Sequence, residues 1–250
     1  FHTNGKSDDQ TILAKSRATQ FVNCGKSVQD AANIINNSNI DVLIYPEIGM
    51  DTTAKALACL RLAPLQIASW GHPETTGLPT IDFFVSGQLL EPQNAAKNYR
   101  EELICLPNLG TYVEDFSSVT KKFNLGTLEI NSDLPILLCP GSPSKYSPET
   151  DYIFLEITKQ IGKCQLIFFD FEESLTTLLK KRLHNIFIQN GLPPNDYIHF
   201  VPFLKSEEFN SLMCAADLYL DTIGFSGFNT ALKAISCNLP IITIDGPQMR

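Results

Sequence analysis

Apolar residues in the second half of the chain fall in short unbroken runs, at 135–139, 164–169, 197–201, 217–220 and 240–243. Between them lie longer stretches with apolar positions at helical spacing, at 148–161, 173–189, 206–215 and 228–237. Short continuous apolar strands alternating with amphipathic helices predict a parallel sheet covered on both faces. The punctuation agrees. Pro148 follows Ser147 at a helix start, and Gly191 with Pro193 and Pro194 marks a stop. Ser206 reads as an N-cap with Glu207 and Glu208 in the first turn. This half predicts a Rossmann-like domain of at least five strands.

The first half shows a looser version of the same rhythm. Helices are expected at 9–21, 28–37 and 52–61, and strands at 41–45, 65–69, 81–85 and 103–106. It reads as the closing part of a second α/β domain whose first strands lie upstream. The polar, aperiodic stretch 121–133 sets the boundary, giving domains 1–122 and 123–250. With nothing after the run at 240–243 to complete a strand–helix unit, both domains are expected to be truncated. No internal repeat is visible.

Composition narrows the function classes. Of 250 residues, 44% are hydrophobic and 18% charged, an ordinary supply of core for a soluble globular protein. The net charge is −8 and Lys and Arg are scattered with no long basic run, which argues against nucleic acid as a partner. A phosphate-bearing ligand would be held locally, by helix ends and one or two cations. The seven cysteines lack metal-ligand spacing and read as small reduced core residues of a cytoplasmic protein. No apolar stretch is long enough to span a bilayer, and no His/Cys/carboxylate cluster suggests a metal.

Three stretches combine unusual residues with strand-to-helix junctions, where open parallel sheets bind ligands. In 139–148, small residues surround Ser142, and Lys145 stands just before a helix start, where a cation suits a phosphate. A solvated turn lysine is the competing reading. In 221–230, Gly224 and Gly227 allow close backbone approach, and Phe228, Asn229 and Thr230 open a helix whose N–H groups would face an anion. An ordinary Gly-rich loop with an Asn or Thr cap is the alternative there. In 70–77, His72, Pro73, Thr75, Thr76 and Gly77 gather an acid–base candidate and two hydroxyls near the only Trp. His184 beside Lys180, Lys181 and Arg182 reads as a solvated helix face, His199 as a core or edge strand residue, and 170–173 as a helix cap.

At these same stretches the chain resembles a known family. The run LRLAPLQIASWGHPETTGLPTIDFFVSG is similar to the LRPAPIQ…WLGYPGTTG…IDY signature of the protein O-GlcNAc transferases and their SPINDLY-like relatives. SPSKYSP resembles their YKI.P motif, and ADLYLDTIGFSGFNTALKAISCNLPIIT resembles ADL.LDT…GGTT..DAL..G.PV.T. The match runs in order over about 41–245. The resemblance implies the GT-B fold, with two Rossmann-like domains, and inverting transfer of a sugar from a nucleotide donor, without a metal or other cofactor.

By that resemblance, Lys145 matches the lysine that neutralises the donor diphosphate, with His72 as the second catalytic candidate. Ser142, Leu204, Lys205 and Gly227–Thr230 fall at donor-binding positions, and Pro73, Thr75, Thr76 and Gly77 in the loop over the donor sugar. The expected partners are a nucleotide sugar, UDP-GlcNAc first, and a protein or peptide acceptor. Helical TPR repeats upstream are a family habit. Two departures stand out: Phe228 replaces a usual His, and Lys233 replaces a usual Asp. They keep open another donor, as in protein asparagine glucosyltransferases or O-fucosyltransferases, or a non-catalytic binding module. The family's base histidine would lie upstream of Phe1.

Overall fold

The computed structural model describes residues 1–3, 5–25, 27–69, 71–112 and 125–246. They divide into two compact units, one ending at Tyr112 and the other beginning after it. The boundary expected between 122 and 123 lies outside the described residues.

The first unit runs α1 (Asp9–Arg17), α2 (Val28–Asn37), β1 (Val42–Tyr45), α3 (Thr52–Ala58), β2 (Leu65–Ser69), β3 (Phe83–Gly87) and β4 (Glu102–Leu106). Its strands pair in parallel in chain order, β1-β2-β3-β4. The three helices start at side-chain caps. Asp8 accepts from the Thr11 amide at 2.8 Å, Ser27 from Asp30 at 3.2 Å and Asp51 from Ala54 at 2.6 Å. Ala31, Ile35, Leu57, Ala68 and Phe84 are among the residues that close the core.

Two helices are shorter than their sequence pattern suggests. α1 stops at Arg17 rather than 21 because Ala18 is extended, and the helix buries no residue, so no packing rewards a further turn. α3 stops at Ala58 rather than 61. The cause is Gln66, wholly buried in β2, whose amide donates to the carbonyls of Leu60 (3.0 Å) and Thr80 (2.8 Å) and accepts from the Leu62 N–H (2.9 Å). A buried amide so engaged holds 60–62 in a turn. The strand expected at 81–85 sits at Phe83–Gly87, since Asp82 turns aside to accept from Arg61 and from the Gln66 backbone N–H.

The second unit runs β5 (Ile136–Cys139), α4 (Asp151–Ile161), β6 (Gln165–Phe169), α5 (Glu173–Gln189), β7 (Ile198–Val201), α6 (Ser206–Ala215), β8 (Leu218–Leu220), α7 (Asn229–Ser236) and β9 (Ile241–Ile242). All five strands are parallel, in the order β7-β6-β5-β8-β9. Every residue of β5 and β6 is buried, as a sheet covered on both faces requires. One core gathers Tyr146, Phe154, Phe168 and Leu183, the other Leu138, Ile167, Leu212 and Tyr219.

Several local expectations change here. Part of the polar stretch 121–133 belongs to this unit: Ile130 is buried, and Asn131 exchanges hydrogen bonds with the Gln165 side chain at 2.8 and 2.7 Å. The cap of α6 is Lys205, not Ser206, and Glu208 reaches back to accept from the Lys205 N–H at 3.0 Å. Glu172 stands at the N-cap of α5 with Glu173 in the first turn, as expected of 170–173, but its side chain makes no cap bond. His184 is not on a solvated face. Its Nε2 is buried without a partner, as is that of His199 on the edge strand β7, and burial lowers both pKa values. Only Cys24, Cys139 and Cys164 of the seven free thiols are buried; Cys59, Cys105 and Cys214 are exposed.

Candidate active site

Chain order in the second sheet reverses direction between β5 and β8. From β5 the chain moves outward through β6 and β7, then returns to β8 and β9 on the other side. The loops leaving β5 and β8 therefore part at a topological switch point, where open α/β sheets form a ligand crevice. These loops are 140–147 and 221–228, which carry two of the three stretches singled out from sequence.

The loop after β5 is fixed from below. The Gly141 N–H donates to the Tyr146 hydroxyl at 3.0 Å, and Tyr146 is itself buried against Phe154 and Phe168. A Cβ on Gly141 would lie 2.4 Å from Thr222 Cγ2, so the two loops touch where only hydrogen fits. Ser142 and Ser144 pair their hydroxyls at 3.0 Å. Arg182, expected on a solvated face, instead grips buried Asp151 with Nε at 2.9 Å and Nη2 at 3.0 Å, and Nη2 donates to the Tyr146 carbonyl at 2.7 Å. The residue following Lys145 is thus clamped to both α4 and α5.

Lys145 ends a 3-10 turn, Pro143–Lys145, and crosses to the other loop. Its Nζ donates to the Ser226 carbonyl at 3.0 Å and sits 4.5 Å from the centre of the Phe225 ring. Burial pulls its pKa below the ordinary lysine value, while the charge of Asp221 pulls the other way. This is not a solvated turn lysine.

The loop after β8 is organised by Asp221. Its Oδ1 accepts from the amides of Thr222 (2.9 Å) and Gly227 (3.3 Å), and its Oδ2 from the hydroxyls of Ser226 (2.6 Å) and Thr243 (2.8 Å). The Thr222 hydroxyl donates to the Phe225 carbonyl at 2.6 Å. Gly224 takes φ +93°, a conformation that favours glycine. α7 then begins at Asn229 with no side-chain cap bond at its N-cap, Phe228. The Thr230 hydroxyl does not face outward; it pairs with the buried Tyr219 hydroxyl at 3.1 Å, and burial raises the Tyr219 pKa to about 12. Any grip on an anion by this helix end falls to backbone N–H groups and Asn229.

Leu204 and Lys205 are placed apart from this centre. They follow the edge strand β7, two strands from β5; Leu204 is buried in the core and the Lys205 N–H is taken by Glu208. Lys233, on α7, lies 5.8 Å from the Phe209 ring of α6.

The third stretch lies in the first unit, after β2. Gly71 is required, since a Cβ there would sit 1.7 Å from the Pro46 carbonyl oxygen. His72 packs over Gly49, whose Cβ would be 2.7 Å from the imidazole Cγ. The hydroxyls of Thr75 and Thr76 both donate to Glu101, the former at 2.6 Å, and the Thr76 amide adds a third bond at 2.8 Å. Burial opposes ionisation of Glu101, but these bonds outweigh it and hold its pKa below the ordinary value. Pro73 and Gly77 complete the turn, with the Gly77 N–H on Thr75 Oγ1 at 3.1 Å. Glu101 and Asp221 were not predicted as anchors. Both are acids at strand ends, and their partners are hydroxyls and amides that no spacing rule flags.

Among the described residues no group of three or more His, Cys, Asp or Glu is placed to hold a metal ion. No helix among them is long and apolar enough to cross a membrane.

Two successive Rossmann-like units of parallel sheet, the second with a lysine and a glycine loop joined at its switch point, define a GT-B glycosyltransferase fold. A mutant O-GlcNAc transferase from Thermobaculum terrenum shares it: at 18% identity it superposes with a TM-score of 0.76 over 99% of this chain and 46% of its own. The chain belongs to glycosyl transferase family 41, whose family model matches residues 6–131. It is 26% identical over 247 residues to SEC of Arabidopsis thaliana, named a probable UDP-N-acetylglucosamine–peptide N-acetylglucosaminyltransferase, covering 94% of this chain and 24% of that protein. SPINDLY of Solanum lycopersicum, named in the same way, is 23% identical over 228 residues, covering 89% of this chain and 24% of its own. The chain thus spans about a quarter of the length of these curated relatives.

Proposed function

We propose that this chain is the donor-binding core of an inverting glycosyltransferase that moves GlcNAc from UDP-GlcNAc to a protein serine or threonine. The observation that carries the reading is the contact between Lys145 and Ser226, which joins a cation to a glycine loop leading into the N-terminus of α7. A diphosphate departing from a sugar gathers negative charge, and a fixed ammonium with helix N–H groups stabilises it without a metal. The half-buried setting of Lys145 strengthens that attraction relative to water. The acceptor hydroxyl attacks the anomeric carbon opposite the leaving diphosphate, so configuration inverts. The sugar is assigned to the 72–77 loop, with His72 and the Glu101-anchored threonines, by sequence resemblance. The family relatives named for UDP-N-acetylglucosamine favour that donor and a peptide acceptor.

The test is calorimetric titration of the full-length protein with UDP, UDP-GlcNAc and GDP, repeated with Lys145→Ala. UDP binding that weakens about tenfold or more in the variant, as loss of a charge-assisted contact implies, supports the reading. Preference for GDP would redirect it to a different donor, a point raised by Phe228 and Lys233. Equal UDP affinity in both proteins would sink it.

A further inference from the structure

The Asp221 carboxylate accepts four hydrogen bonds at the edge of the crevice. It closes its own loop at Thr222, Ser226 and Gly227, and with Thr243 it ties that loop to the segment leaving β9. Ser226 is the pivot: its hydroxyl is held by Asp221 while its carbonyl receives Lys145 from the loop leaving β5. The 222–227 loop and the segment leaving β9 therefore meet at one carboxylate, and the loop leaving β5 joins them through Ser226. The Gly227 amide is fixed by the same group immediately before α7, and a Cβ at 227 would fall 2.3 Å from Thr230 Oγ1. The start of the helix has no slack for a loop that wanders.

We infer that Asp221 is the positioning residue of the donor-phosphate site, holding the 222–227 loop so that Lys145 and the α7 N-terminus address one diphosphate. This rests on the function proposed above. Asp221 touches no substrate in this scheme. A carboxylate directly against a diphosphate would repel it, and here its oxygens are saturated by two amides and two hydroxyls.

The two obvious substitutions separate the role from a general structural one. Asp221→Ala removes the pin. Asp221→Asn keeps it, because the amide oxygen still accepts from Thr222 and Gly227, and the amide nitrogen donates to the Ser226 and Thr243 hydroxyls, which can turn to accept. The experiment measures two quantities on the full-length protein: backbone amide exchange of 222–230 without ligand, and UDP affinity by calorimetry. Asp221→Ala is expected to speed exchange across that loop and weaken UDP about tenfold or more. Asp221→Asn is expected to restore both to near the parent. Ser226→Ala, a milder cut that keeps the carbonyl, should fall between and serves if the alanine variant does not fold. Exchange and affinity unchanged in Asp221→Ala, or in Ser226→Ala where that variant stands in, would overturn the inference while leaving the donor reading intact. Asn behaving as badly as Ala would overturn it too. Should the parent protein bind no UDP, the donor reading fails and the phosphate-positioning role of Asp221 falls with it, whatever the exchange shows.

Discussion

Replacing Glu101 with glutamine changes one atom and should destabilise the first unit out of proportion to that change. The carboxylate is buried, and it receives the Thr75 hydroxyl, the Thr76 hydroxyl and the Thr76 amide. Thr75 Oγ1 already accepts from two amides, Gly77 at 3.1 Å and Arg100 at 3.2 Å. It has only its proton left to give. A glutamine nitrogen facing it meets an oxygen whose lone pairs are taken, and the flipped amide faces the Thr76 N–H instead. Either orientation loses a charge-assisted bond and sets donor against donor, a cost of about 2 kcal/mol. Glu101→Ala, which leaves the Thr76 amide and both hydroxyls without this acceptor, should cost more, about 3–4 kcal/mol.

Urea denaturation of the parent and the Gln variant, followed from pH 7 to pH 3, measures the effect and its sign. The folded-state pKa of Glu101 lies below its ordinary value, so the unfolded chain binds a proton first as pH falls. The contribution is therefore complete above the unfolded pKa and is lost as pH drops through the folded one. The stability gap between parent and Glu101→Gln should narrow over that acid window and hold constant above it. A gap that is absent at pH 7, or that persists unchanged at pH 3, would refute the reasoning.

Three further outcomes follow from the second unit. Arg182→Met leaves Asp151, 5% exposed, as an uncompensated buried charge and frees the Tyr146 carbonyl, so unfolding free energy should fall by about 3–5 kcal/mol, and thermal melts of the variant test it. Arg182→Lys should recover little of that loss, because a single ammonium cannot reproduce the forked contact. Gly227→Ala drives its methyl toward Thr230 Oγ1, so UDP affinity should drop, and Thr230→Ala added to it should return part of the loss in the same titration. UDP affinity should also weaken as pH rises through a value below the ordinary lysine pKa, since burial favours the neutral amine of Lys145; an alkaline limb at or above that ordinary value would contradict the placement.

The sheet of the second unit was readable from sequence because its strands are apolar on both faces and bounded by turns. The run at 164–169 became Gln165–Phe169, and 173–189 was matched end to end as α5. In the first unit the pattern misled where one side chain decided the backbone, as Gln66 does at the end of α3. Periodicity carries no signal for a buried amide that hydrogen-bonds across a turn.

The site shows the same division more sharply. Lys145 and the glycine loop stood out as candidates because they fall at strand-to-helix junctions, where a solvated lysine and an ordinary capped loop were the competing readings and the family motifs favoured a phosphate site. Their meeting was not, since Lys145 and Ser226 are 81 positions apart. Nor were the groups that hold them. Arg182 and Asp151 are separated by 31 positions, and Glu101 and Thr75 by 26. In sequence, each of these charged residues is indistinguishable from one on a solvated face. Folding gives them meaning by removing water: once the carboxylates of Asp151 and Glu101 are buried, they must find donors, which are Arg182 of α5 for the first and the 75–76 turn for the second. Candidate site residues are announced by composition and position, whereas the residues that hold their loops are fixed by the desolvation cost that tertiary structure imposes.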